Sequence, residues 1–181
     1  MAMRIQFLLL LSALLVFSSS SDTAGALRMK PKKANIQFYM HDIVSGPNAT
    51  AIQVAGKENS TSSDPIAAMF GAIYVMDNPL TVRPDYNSTV IGRAQGIYAM
   101  SSQQKEFSLL MTLTMAFTAG PYNGSSISVV GRNPILQQVR EMPVVGGTGI
   151  FRLARGYCLA RTHSTDQMDA IIGYNVTVIH Y

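Results

Sequence analysis

Residues 140–157 read R-E-M-P-V-V-G-G-T-G-I-F-R-L-A-R-G-Y. Two β-branched residues, Val144 and Val145, run straight into Gly146-Gly147-Thr148-Gly149. Only glycine takes positive φ without steric cost, so this run predicts a sharp turn that re-enters a sheet. From Phe151 the chain alternates. Phe151, Leu153, Arg155 and Tyr157 share one face, and Arg152, Ala154, Gly156 and Cys158 share the other. The first face is large and the second nearly bare. A closed sheet with bare inward faces leaves its middle unfilled, which points to a cavity. A bulge or a barrel rim is the second reading, since glycine is common at both.

The same two-residue period runs along the rest of the chain. Strands are predicted at Ile36–Ile43, Thr50–Val54, Met69–Met76, Val90–Met100, Ser108–Phe117, Ile127–Val130, Phe151–Thr162 and Ala170–Tyr181. Asp77-Asn78-Pro79 reads as the turn that closes the third, and Asn123-Gly124 as a two-residue hairpin before the sixth. No helical period survives past the N-terminus. About eight short strands separated by turn signals describe an all-β sandwich or barrel.

Residues 1–26 read as a secretory signal: Arg4, then an apolar run from Phe7 to Phe17, then Ala24-Gly25-Ala26 as the cleavage point. That run is too short to span a bilayer, so no membrane partner is expected. Residues 27–34, with Lys30, Lys32 and Lys33, read as a flexible basic arm, and 35–181 as a single domain. Sequons at Asn48, Asn59, Asn87, Asn123 and Asn175 fit an extracellular glycoprotein. Cys158 is the one cysteine, which excludes an internal disulfide and suits a small buried hydrophobe. The formal charge of +4 comes without a basic stripe interleaved with aromatics. Nucleic acid is therefore not expected, whereas acidic cell-wall polysaccharide is a compatible partner.

Gly92, Ala94, Gly96 and Tyr98 form a second bare face, as Ala154, Gly156, Cys158, Ala160 and Thr162 extend the first. Tyr98 and Thr162 are the polar groups that project from them. Asp42 closes an apolar face begun by Ile36, Phe38 and Met40, where desolvation would control its ionisation. Apolar walls with a few placed polar groups are what a small-molecule pocket needs. Each residue also has a plainer role open to it: Asp42 as an edge-strand guard, Arg140 as half of an exposed pair with Glu141, Tyr98 as core. His41, His163 and His180 show no ligand spacing, so no metal or cofactor is expected, and His163 and His180 are placed at the surface or rim.

The blocks F-Y-M-H-D-I (38–43), D-N-P-L-T (77–81), G-R-A-Q-G-I-Y (92–98), F-T-A-G-P-Y-N-G-S (117–125) and V-R-E-M-P-V-V-G-G-T-G-I-F-R-L-A-R-G-Y (139–157) occur in this order. Together they resemble the plant dirigent family over essentially the whole chain from Ile36. The resemblance implies an eight-stranded antiparallel β-barrel of the dirigent and allene-oxide-cyclase type with an internal cavity. It implies secretion to the apoplast and assembly as a homo-oligomer, a dimer or trimer. It implies stereoselective guidance of phenoxy-radical coupling in lignan biosynthesis, with radicals of phenylpropanoids such as coniferyl alcohol supplied by a laccase or peroxidase. Such guidance is positioning rather than redox chemistry. Relatives that dehydrate isoflavanols to pterocarpans make a lyase the alternative, and a non-catalytic ligand-binding protein is the third reading.

The resemblance also assigns roles. Asp42 matches the pocket carboxylate, Tyr98 the tyrosine after R-A-Q-G, Arg140 the arginine of the V-R-E segment, and Thr162 a pocket threonine. Asn133 stands where pinoresinol-forming members carry a carboxylate, and an amide cannot take a proton from a phenol. Phe38, Met40 and Asn133 are the expected substrate contacts. The cysteine pair of that subgroup is missing here too, which argues against pinoresinol as the product.

Overall fold

The computed structural model describes residues 30–56, 62–103 and 105–181. The predicted signal segment and the Asn59 sequon lie outside them. The elements are β1 (Lys32–Asp42), β2 (Ala51–Ala55), a single-turn helix α1 (Pro65–Met69), β3 (Ile73–Thr81), β4 (Val90–Met100), β5 (Ser108–Phe117), β6 (Ser126–Pro134), β7 (Arg140–Thr148), β8 (Arg155–Asp166) and β9 (Asp169–His180). Every pairing is antiparallel. Eight strands close a barrel in the order β1-β9-β8-β7-β6-β5-β4-β3, with β3 returning to β1. The ninth, β2, pairs with β3 alone.

That arrangement makes β1 and β2 share one edge of β3. β1 pairs at Leu80 and Thr81, and β2 takes over at Ile73–Met76. Asp77-Asn78-Pro79, expected as a turn, lies at this changeover inside β3 and pairs with Arg93–Gln95 of β4. The Asp77 N–H donates to Thr50 O at 2.8 Å, so the odd residues here face the β1/β2 side. Pro79, which has no N–H, therefore interrupts the ladder only at the gap between two partners. A proline survives inside a sheet under that condition. The turn chemistry is real in sequence but is outvoted by the sheet on the other side.

Other boundaries moved for local reasons. β1 begins at Lys32, so Lys32–Ala34 pair with Val178–His180 instead of extending the arm. The predicted two-residue hairpin at Asn123-Gly124 is one corner of the longer connection 118–125. It is a type II turn, with Gly124 at φ 78° and the Ser125 N–H on Tyr122 O at 3.0 Å. Met69 belongs to α1, not to a strand. Gly146 and Gly147 do not turn the chain. They stay in β7 opposite Ser128 and Ile127, with Val145 bulged out between two paired residues. The turn itself falls at Gly149–Phe151, a 3-10 turn, so β8 starts at Arg155 rather than Phe151. Phe151 is then wholly buried while Leu153 is exposed, which breaks the face they were expected to share.

The barrel interior divides into two poles. At one, Phe38, Phe117, Tyr122 and Phe151 pack with ring centroids 5.3–6.1 Å apart. His180, expected at the surface or rim, is buried there edge-on to Phe151 at 5.3 Å. The small residues of the bare faces serve close strand packing, while Tyr98 and Thr162 at the ends of those faces reach the cavity. A Cβ on Gly156 would sit 2.0 Å from Thr177 O, so the small residues let strands approach closely. Cys158 is buried on the same face, and desolvation pushes its thiol up to about 12, which leaves it inert. The other pole is open and holds the site.

Two outcomes follow from this geometry. A Cβ on Gly147 would meet Ser126 O at 2.5 Å and Phe151 Cβ at 2.7 Å, both fixed. Gly147→Val is therefore expected to cost about 3 kcal/mol or more, read as a large fall in melting temperature and in secretion. Asn48, Asn87, Asn123 and Asn175 are all exposed, and Ile172, Tyr174 and Val176 point inward from Asn175's strand. Peptide mapping before and after deglycosylation is expected to find glycan at Asn175. An unoccupied Asn175 under efficient occupancy of Asn48 would show this outer face to be covered before glycosylation.

Candidate functional site

The open pole encloses about 440 Å³. Its apolar wall comes from Met40 of β1, Met100 of β4, Leu109 and Met111 of β5 and Ile172 of β9. Flexible methionines make such a wall adaptable in shape. The predicted Asp42, Tyr98, Asn133, Arg140, Thr162 and Met40 all line it. Phe38 does not. It lies one layer below, stacked on Tyr174 at 5.6 Å, and so supports the floor instead of touching a ligand. His163 is exposed on the outside, edge-on to Tyr39 at 5.7 Å.

One side of the cavity carries an acid. Asp42 ends β1 and pairs with Ala170, so it is not an unpaired edge. Asn78 Nδ2 donates to its Oδ1 at 2.9 Å. Burial pushes the Asp42 carboxyl above the usual carboxylate range. The donors Asn78 and Tyr98 offset part of that rise, and the charge of Asp169 adds to it. Burial raises the Tyr98 phenol as well, followed by the Asp42 charge, so Tyr98 stays a donor. Tyr98 also stacks on Tyr74 at 4.9 Å, whose hydroxyl donates to Gln53 Oε1 at 3.1 Å. This leaves the Tyr98 ring little freedom.

The other side carries a cation. Arg140 is 3% exposed and starts β7, three places round the ring from β1. The exposed pair with Glu141 does not form. The guanidinium donates to Asn133 Oδ1 at 3.1 Å, Gln137 O at 3.3 Å and Thr162 Oγ1 at 2.9 Å. All three acceptors are neutral, and among the described residues no carboxylate lies within ion-pair range of it. Burial pulls its pKa down, yet a guanidinium stays charged in any protein. A carboxylate at 133 would neutralise it. The amide orients it and leaves its charge available to a ligand.

Three features escaped the sequence reading. Asn78 was hidden in turn chemistry. Tyr174, buried with its phenol raised by desolvation, lies inward once β9 takes the facing that exposes Asn175. The third is the mouth. Asp169 Oδ1 accepts from the Val44 and Ser45 N–H groups at 2.8 and 2.9 Å, and Oδ2 accepts from Ser45 Oγ at 2.7 Å. These bonds hold the Asp169 pKa low and tie the loop after β1 to the β8–β9 hairpin, whose tip, Gln167-Met168, borders the cavity.

Comparison with known proteins gives a consistent picture. The family model for Dirigent-like protein matches residues 33–179. Dirigent protein 23 of Arabidopsis thaliana is 47% identical over 83% of this chain and 80% of its own length. Pterocarpan synthase 1 of Glycine max is 46% identical over 91% of this chain and 88% of its own. A solved pterocarpan synthase dirigent protein superposes with a TM-score of 0.77 at 44% identity, covering 84% of this chain and 87% of that one.

The raised Asp42 pKa has a sign that stability reads directly. Between the ordinary carboxylate value and its raised one, the folded state binds more protons than the unfolded state, so Asp42 lowers stability as pH rises through that window. Asp42→Asn removes the effect. The variant is expected to gain melting temperature over wild type as pH rises through the window and to hold that gain above it. A difference that is flat with pH would place Asp42 in water.

Proposed function

The chain belongs to the dirigent family, and we propose that it controls the stereochemistry of bond formation at a planar phenolic intermediate by transferring a proton through Asp42. One observation carries this reading: a half-buried carboxyl held above its usual range and a buried, uncompensated guanidinium share one apolar cavity. A carboxyl poised this way is a general acid. It hands its proton to a benzylic hydroxyl conjugated with a phenolate held at Arg140. The hydroxyl leaves as water, and the phenolate oxygen becomes the carbonyl of a quinone-methide-type electrophile, to be regenerated when the ring closes. A second phenol of the same molecule closes on the vacated carbon, and the Asp42 carboxylate takes the proton it sheds. Atoms balance as loss of one water, with the acid restored. Arg140, oriented by Asn133 and Thr162, holds a phenol oxygen and favours negative charge on it. The walls present one face of the electrophile, which sets the handedness of the product.

This is the isoflavanol-dehydrating activity, pterocarpan-synthase-like. The second reading is guided coupling of phenylpropanoid radicals made by a separate laccase or peroxidase. It is favoured by the separation of the two polar anchors, Asp42 on β1 and Arg140 on β7, one for each of two phenols. Either reading places the protein in the apoplast as a secreted, glycosylated homo-oligomer, where acidic wall polysaccharide suits its positive charge.

Purified protein incubated with an isoflavanol and no oxidant is expected to form a pterocarpan in enantiomeric excess on chiral chromatography. Coniferyl alcohol with and without laccase is the parallel arm, and excess seen only there, with oxidant, selects the second reading. Asp42→Ala and Arg140→Ala are each expected to reduce rate or product ratio at least tenfold, about 1.4 kcal/mol of transition-state preference. Melting is read alongside, and a loss as large as that of Gly147→Val in either variant would mark that residue as structural. Full activity in Asp42→Ala would make the carboxylate structural.

A further inference from the structure

Asp42 has two oxygens, and the changeover on β3 treats them differently. Asn78 is completely buried, and all of its side-chain hydrogen-bonding atoms are committed. One amide hydrogen goes to Asp42 Oδ1 at 2.9 Å, and Nδ2 also reaches Met76 Sδ at 3.6 Å. Its Oδ1 accepts from Thr50 Oγ1 at 2.6 Å. The Thr50 hydroxyl is itself fixed, because it accepts from the Ile43 N–H at 3.1 Å. Its one proton is left with Asn78 Oδ1 and the more distant His41 O, 3.4 Å away. If the Asn78 amide turned over, its oxygen would face Met76 sulfur and Asp42, and Thr50 would lose its short acceptor.

We propose that Asn78 and Thr50 are positioning residues: Thr50 locks the Asn78 amide, Asn78 keeps Asp42 Oδ1 as an acceptor, and Oδ2 is the atom that holds and delivers the proton. The inference rests on the acid role given to Asp42 above but concerns a property of the unliganded protein. A neutral carboxyl has one O–H, and an oxygen that already receives an N–H is a poor place for it. Tyr98 also hydrogen-bonds the carboxyl, but a phenol accepts as well as donates and the amide N–H cannot. With the amide locked, the proton is therefore confined to the other oxygen, and the acid has one orientation. The charged and titratable groups around it are Tyr74 on β3, Tyr98 on β4, and Asp169 and Tyr174 on β9. Both tyrosines nearest the acid stay protonated. Asp169 stays ionised across the range in which Asp42 titrates, because hydrogen bonds from Ser45 and Val44 hold its pKa down.

The test reads Asp42 without turnover. Infrared difference spectra of wild type against Asp42→Asn, taken over a pH series, isolate the Asp42 carboxyl band and its titration. Losing the donor is expected to raise the Asp42 midpoint by about one pH unit, a tenfold change in proton affinity, in Asn78→Ala. Thr50→Val should raise it in the same direction and shift the C=O band, because the freed amide turns over and shares the proton. Thr50→Ser restores the hydroxyl and should restore both readings. Thr50 is also the third residue of the Asn48 sequon, so Asn48→Gln, which removes the glycan alone, should leave both at wild-type values. If Asn78→Ala does not fold, the Thr50 pair decides. An unmoved midpoint and band in Thr50→Val, or the same shift in Asn48→Gln, would overturn the proposal. A shifted midpoint in a protein that turns over no isoflavanol would uphold the proposal and sink only the dehydratase reading.

Discussion

A barrel must return its last strand to its first, and here that closure is the narrowest joint in the sheet. β1 meets β3 over Tyr39↔Thr81 and Met40↔Leu80 alone before the chain leaves for the loop to β2. Side chains hold the joint from both surfaces. Outside, Thr81 Oγ1 gives its proton to Arg83 O at 2.6 Å, so His41 Nε2 must be the donor in its 2.8 Å bond to Thr81. The Nδ1 atom is then a buried acceptor without a partner among the described residues. Burial lowers the His41 pKa, which keeps the ring neutral in that tautomer. Inside, Asp42, Asn78 and Thr50 bridge the same joint. The residues that close the fold and those that prepare the acid are therefore neighbours in one network.

What was legible in the sequence was whatever depends on alternation. The inward set of β4 and β8, the strands themselves and the placing of Tyr98 and Thr162 in one cavity follow from a period of two, which the barrel obeys almost everywhere. What was not legible depends on exceptions to it. Asn78 sits in a tripeptide with turn chemistry, and the shared edge of β3 explains why no turn forms. Phe151 matches the parity of Tyr157 and so reads as the first residue of a strand, but a 3-10 turn and the left-handed corner at Leu153, φ 62°, intervene. Bare faces were read as an empty middle. They are instead where strands crowd together, and the empty space lies among larger side chains at the opposite pole.

The chemistry at Arg140 illustrates how one atom changes a site without changing its shape. Asn133 accepts the Nε hydrogen just as a carboxylate would, so the guanidinium keeps its place. What differs is the field it presents. A buried pair is nearly neutral at a distance, whereas a lone buried cation acts on the first polarisable group that reaches it. The same position thus decides between a site that is electrostatically self-satisfied and one that waits for a ligand.

The Phe38–Tyr174 stack is the boundary between a solid half and a hollow half, and it has an evolutionary consequence. Changes among the methionines and leucines of the hollow half alter cavity shape without disturbing the aromatic cluster that carries much of the packing. Variation in cavity shape is thereby uncoupled from the capacity to fold. A lineage built on this scaffold can reshape what its hollow half admits by single substitutions while its solid half goes on folding.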